Sequence, residues 1–380
     1  MRITLPRADG TLEAYSVQPP PQWQLRDSQP RSRIAYAAAH VVADPLAAPA
    51  PAALDWDATL RFRRHLWSHG LRVADGMDTA QRNTGLNWDV TRELAARTAA
   101  AARDFGDPAE LVVVGAGTDH ARRADSLAQV THAYLEQLAA IRATGAGAVL
   151  MGSRELAAIA RGPDDYHEVY SRVLAEADRP VILHWLGEMF DPLLAGYWGS
   201  RDIWAATQSL LSLVRDNAGR IDGIKVSLLD PNHEIALRTA LPAGVRLYTG
   251  DDFSFPSLIA TGSHALLGIF DAIAPAAATA LRALDDGDKL RYEEVLAPTV
   301  PLARKVFEAP AHHYETGLVF LAWLAGHQDA FVMVGGAQSA RSLPHLAEVF
   351  RLADYAGLLP NPALAVSRMS TLLALYGIGQ

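Results

Sequence analysis

A chain of 380 residues that is 50% hydrophobic and 20% charged has the composition of a soluble globular protein with a full-sized core. It contains no cysteine, which removes disulfides, cysteine–zinc sites, iron–sulfur clusters and thiol nucleophiles from consideration. A formal net charge of −8 argues against nucleic-acid and anionic-membrane partners, and neither a signal-peptide core nor an apolar run of the ~18–20 residues a bilayer requires is visible, so a cytoplasmic protein is expected.

Residues 1–32 are polar and proline-rich and read as an N-terminal extension, with room for a small hairpin. From residue 33 short apolar runs alternate with stretches of helical period, the pattern of βα units on a parallel sheet. The runs read as strands are 33–42, 71–77, 110–117, 146–152, 180–187, 223–227, 245–252 and 264–270. Helices are expected between them, including 88–105, 124–145, 165–178 and 202–219, with Gly145 as a stop signal and Pro231-Asn232 opening the next. Eight such repeats over about 250 residues make a (β/α)8 barrel, here assigned to residues 33–275. An open doubly wound sheet would bring a glycine-rich phosphate loop after its first strand, and AHVVADP is not one. The lone Gly-x-Gly of VVVGAGTDHA lacks the third glycine of a dinucleotide site.

Residues 276–380 read as a helical bundle over 276–288, 290–309, 314–327, 343–357 and 362–379. It is too apolar for a solvated tail. It should pack on the barrel or form the contact of a homo-oligomer, a dimer or tetramer.

One residue stands out chemically. The chain has only Lys225, Lys289 and Lys305, arginine supplying the other basic residues, yet Lys225 sits at the end of the apolar strand GIKVS. Residues at the C-terminal ends of barrel strands face the active site. In an apolar pocket the ammonium is disfavoured, and the neutral amine can attack a carbonyl to form a Schiff base. A merely structural lysine would instead reach outward or pair with Asp222 or Asp230.

Several segments taken in order resemble the class I aldolase and lyase barrels typified by dihydrodipicolinate synthase and N-acetylneuraminate lyase. GIKVS is similar to that family's sixth strand, with Lys225 in the place of the Schiff-base lysine. YTGDDFSFPSLIATGSHALLGIFDAIAP (248–275), YHEVYSRVLAEADRPVILHWLG and GMDTAQRNTGLNWDVTREL resemble its seventh-to-eighth-strand segment, its fourth helix with fifth strand, and its substrate-carboxylate loop. The resemblance implies a Schiff-base lyase without cofactor, acting on a small-molecule carbonyl substrate, and it points to a divergent branch. It also implies departures. His184 stands where the family has a proton-relaying tyrosine, and imidazole can do the same work near neutral pH. Asp78-Thr79 replaces a pair of hydroxyl residues that hold a 2-oxo acid's carboxylate. A carboxylate facing Asp78 is repulsive, so either Asp78 points elsewhere or the substrate is a neutral or sugar-derived carbonyl compound whose hydroxyls Asp78 accepts. In this scheme Lys225 is the nucleophile and His184 the relay, Asp78, Thr79 and Trp185 contact the substrate, and Asp251, Asp252 and Ser263 line the far wall.

Two alternatives stay open. His40, Asp78, His184 and Glu188, all near strand ends, have the donor chemistry of a divalent-metal isomerase or aldolase, although no HxH or HExxH spacing supports that set. A barrel that binds a sugar-like ligand without catalysis is the other.

Overall fold

The computed structural model describes residues 1–21, 23, 28–47, 53–121 and 123–379, so that part of the expected N-terminal extension lies outside the described residues. Two compact units divide the chain: residues 33–38 with 72–267, and residues 1–32 with 39–71 and 268–380.

The first unit carries the barrel. After a hairpin in the other unit (β1, Arg2–Pro6; β2, Leu12–Ser16), eight strands follow: β3 (Ala35–Ala38), β4 (Arg72–Asp75), β5 (Val112–Ala116), β6 (Gly147–Leu150), β7 (Val181–Leu186), β8 (Ile221–Ser227), β9 (Arg246–Thr249) and β10 (His264–Leu267). Each pairs in parallel with the next, and β10 closes on β3. All eight expected strands form, and the (β/α)8 barrel stands. Seven are shorter than the apolar runs, because a strand buried on both faces leads into loops that are apolar as well, whereas β8 begins two residues earlier than expected, at Ile221.

Helices Trp88–Ala102, Leu127–Thr144, Pro163–Ala175, Ile203–Asp216, Pro231–Ala240 and Phe255–Ala260 follow β4 to β9. Side-chain oxygens of Asn87, Ser126, Asp202 and Asp230 accept the first free N–H groups of four of them, and Gly145, at φ 88°, ends the helix 127–144 as its sequence indicated. Inside the barrel, Tyr36, Val113, Val149, Ile182, Tyr248 and Leu266 belong to one buried apolar cluster. This cluster is the floor on which polar strand ends can stand.

In the second unit, helix Tyr314–Ala325 is buried along all but its last residue. Helices Thr299–Val306, Leu343–Tyr355 and Pro362–Leu375 pack on it, and the β1–β2 hairpin packs on the second of these, where the Tyr15 hydroxyl donates to Asp354 Oδ2 at 2.8 Å. The single helix expected over 290–309 is two, Lys289–Leu296 and Thr299–Val306. Pro298 between them has no N–H to donate, so the helical hydrogen-bond ladder breaks there although Ala297 keeps helical backbone.

Candidate active site

Side chains alternate across a strand, so Gly223, Lys225 and Ser227 of β8 share one face. A Cβ on Gly223 would lie 2.7 Å from the Tyr248 ring, which identifies that face as the barrel interior. Lys225 is buried, and its backbone register pairs it with His184 on β7 and Tyr248 on β9. Neither structural partner is available to it. Asp222 accepts hydrogen bonds from Arg246 and from the Tyr248 hydroxyl, and Asp230 caps the helix 231–240. Burial pushes the Lys225 ammonium below the ordinary lysine range, while the Asp78 and Asp252 carboxylates pull it back.

His184 is buried next to this amine. Burial, with the Lys225 charge beside it, holds the imidazole well below its usual value, so the ring is neutral. Its Nε2 lies 3.2 Å from the Ser227 hydroxyl, and its Nδ1 has no hydrogen-bond partner among the described residues. Ser227 was missed in the sequence, although standing two residues after Lys225 on a strand guarantees it the same face.

Asp78 opens a short turn, Asp78–Ala80, after β4. Burial raises its carboxyl and the Lys225 charge opposes the rise. The loop that carries it takes an irregular path, with Gln81 and Asn83 both in the left-handed region at φ 59° and 67°. Arg82 between them pins it. Its guanidinium donates to Asp119 at 2.6 and 2.9 Å, to Gln137 Oε1 at 2.7 Å and to the carbonyls of Gly76 and Gly115 at 3.1 Å.

Asp78 and His184 open into a cavity of about 970 Å³ above β4 to β7. Its wall also holds Arg154, whose Nε donates to Asp191 Oδ2 at 2.6 Å, and Glu155, which accepts from the Thr118 hydroxyl at 2.5 Å. A chain of buried tyrosines stands behind it. Tyr197 accepts from the Ser153 N–H at 2.9 Å and lies 2.8 Å from the Tyr170 hydroxyl, fixing the turn that presents Arg154 and Glu155.

The structure therefore brings Lys225, His184, Asp78 and Asp252 together. Thr79 is buried in the same turn as Asp78, and Asp251 is buried with Oδ1 accepting the N–H groups of Phe253 and Ser254 at 2.8 and 2.9 Å. Trp185 is not brought to the site. One residue on from His184, it faces the other way and packs edge-on against Trp198 and His233. Ser263 is held elsewhere, donating to Glu234 Oε1 at 2.9 Å and accepting from Arg238 at 2.7 Å. Of the metal alternative, Glu188 is exposed in a turn, and His40 lies in the other unit with Nδ1 2.8 Å from Asp271 Oδ2. Among the described residues no group of three or more His, Asp or Glu side chains is arranged to hold a metal ion. No helix among them is long and apolar enough to cross a membrane.

Solved structures share this fold. YagE of E. coli, a prophage protein belonging to the dihydrodipicolinic acid synthase family, aligns with a TM-score of 0.67 at 14% identity, over 86% of this chain and 99% of its own. Dihydrodipicolinate synthase from Thermotoga maritima gives 0.65 at 16%, over 87% and 100%. The enzyme from Aquifex aeolicus gives 0.61 at 14%, over 91% and 98%. A search of curated proteins finds no match to the chain. The family model described as "Protein of unknown function (DUF993)" matches residues 3–378, and the chain belongs to that family.

Proposed function

We propose that the chain is a lysine Schiff-base lyase or aldolase, making or breaking a carbon–carbon bond next to the carbonyl of a small substrate. The observation that carries the reading is a buried amine, Lys225, with a neutral imidazole, His184, in register on the neighbouring strand. The amine nitrogen adds to the carbonyl carbon, and loss of water from the carbinolamine leaves an iminium. In the cleavage direction the electron pair of the adjacent carbon–carbon bond flows into the iminium to give an enamine. The hydroxyl proton on the departing fragment goes to a base, and that fragment leaves as a carbonyl compound. Protonation of the enamine carbon and hydrolysis of the imine restore the amine. His184 is suited to these proton transfers, since its Nδ1 has no partner among the described residues and its ring is neutral. The iminium formed on Lys225 is the electron sink, so the scheme needs no cofactor.

Both YagE, solved in complex with pyruvate, and the dihydrodipicolinate synthases lend support through the shared fold. Borohydride reduction in the presence of a panel of 2-oxo acids, ketoses and aldehydes tests the reading. We expect at least one compound to leave a stable mass increment mapping to Lys225 and absent from Lys225→Ala. A protein that turns over a substrate yet keeps an unmodified mass, or a Lys225→Ala variant with undiminished rate, would overturn it.

A further inference from the structure

The charge balance of the cavity bears on which carbonyl compound it takes. Its two guanidiniums are already ion-paired within the wall, Arg82 with Asp119 and Arg154 with Asp191, each at 2.6 Å. Asp78 and Glu155 make no ion pair with a side chain of the described wall, although the Lys225, Arg154 and Arg82 charges act on Asp78 from nearby. The wall is therefore electronegative and rich in hydrogen-bond acceptors. A carboxylate entering it would shed hydration and meet like charge, whereas a hydroxyl donates directly to Asp78 or Glu155.

Trp88 adds a second, independent feature. It lines the same cavity, and the Arg82 guanidinium sits over its ring, 5.2 Å from the centroid. Because Arg82 is itself fixed by five hydrogen bonds, the indole is a rigid apolar wall among acceptors. A polyol matches that pairing, with its C–H face on the ring and its hydroxyls on the carboxylates. The volume of about 970 Å³ suits a molecule well beyond the size of a three-carbon acid.

We propose that this cavity binds an uncharged polyhydroxylated aldehyde or ketone, of the sugar or cyclitol class, and rejects 2-oxo acids, with Asp78 as the specificity-determining residue and Trp88 as the stacking surface. The inference rests on the Schiff-base reading for the carbonyl but not for binding.

Calorimetric titration of the full-length protein with carbonyl-free probes separates the two. The polyol probes are glucitol, mannitol, galactitol and myo-inositol, and the anionic probe is lactate. We expect at least one polyol to bind about tenfold or more tighter than lactate. Asp78→Asn should weaken that polyol about tenfold and strengthen lactate, and Trp88→Leu should weaken the polyol and leave lactate unchanged. Lactate binding as tightly as every polyol, no detectable polyol binding, or a preference untouched by Asp78→Asn would each overturn the proposal. Polyol binding without any borohydride adduct would remove the Schiff-base chemistry and leave the ligand class in place.

Discussion

At the scale of single residues, the space around the Lys225 amine is set by what is missing beside it. A Cβ on Gly250 would fall 2.2 Å from the Ser227 hydroxyl and 3.0 Å from Lys225 Cε, distances that force both side chains to move. We expect Gly250→Ala to cut adduct formation at Lys225 by tenfold or more while costing roughly 1–3 kcal/mol of stability, the usual range for overpacking a filled interior. Trapping rates and a denaturant titration check the two effects, and an unaltered trapping rate would show that the amine does not need this space. Lys225 and His184 could be picked out in the sequence because each stands at the inward end of an apolar strand. Trp185 could not be placed by the same logic, since a step of one residue along a strand reverses the face. Ser263 and Trp88 were opaque for another reason. Ser263 is held by Glu234 and Arg238, more than twenty positions upstream, and Trp88 is fixed as a cavity wall by Arg82 stacked on it.

At the scale of elements, the eight strands were legible because a parallel barrel buries both faces of each, leaving β-branched and apolar runs at regular intervals. The loops that hold the chemistry were not, because their shape is fixed by long-range hydrogen bonds rather than by local propensity. The segment after β4 is the clearest case. Its left-handed residues at 81 and 83 would not hold that path unaided, and Arg82 ties it to Asp119, Gln137 and two backbone carbonyls. Arg82→Met keeps much of the side-chain volume but leaves the partly buried Asp119 carboxylate with Gln137 Nε2 alone at 3.0 Å, Gln137 Oε1 with the Gly117 N–H at 2.6 Å, and two carbonyls short of a donor. The expected cost is about 1–3 kcal/mol, below that of breaking a fully buried ion pair because Asp119 is partly exposed and keeps its bond from Gln137. The loop should also become cleavable between 77 and 88 under limited proteolysis while the barrel stays folded. Urea unfolding and the proteolytic map measure these two effects. Resistance of the loop in Arg82→Met would mean that its path is set without the guanidinium.

At the scale of the whole molecule, stability against acid is written into the unit that does not carry the barrel. His65, in the last turn of helix Trp56–Ser68, and His327, just after helix Tyr314–Ala325, lie with ring centroids 4.3 Å apart. Burial, with each other's and His69's imidazole nearby, pushes His65 down to about 2. Burial, with His40 opposing protonation and Asp271 favouring it, pushes His327 down to about 4. In the unfolded chain both rings take up a proton near the ordinary histidine value of about 6.5. Below that pH the unfolded state therefore binds more protons than the folded one, and stability must fall as pH falls, from about 6.5 towards 4. Each histidine should contribute up to roughly 3 kcal/mol of that loss by pH 4, since one pKa unit corresponds to about 1.4 kcal/mol. Replacing both by leucine removes the two titrations without emptying the space between the helices. The double variant should then lose distinctly less stability than the parent between pH 7 and pH 4.5, measured by denaturant unfolding at each pH. A double variant that declines as steeply as the parent would place the acid sensitivity in other groups, such as the carboxylates around Lys225.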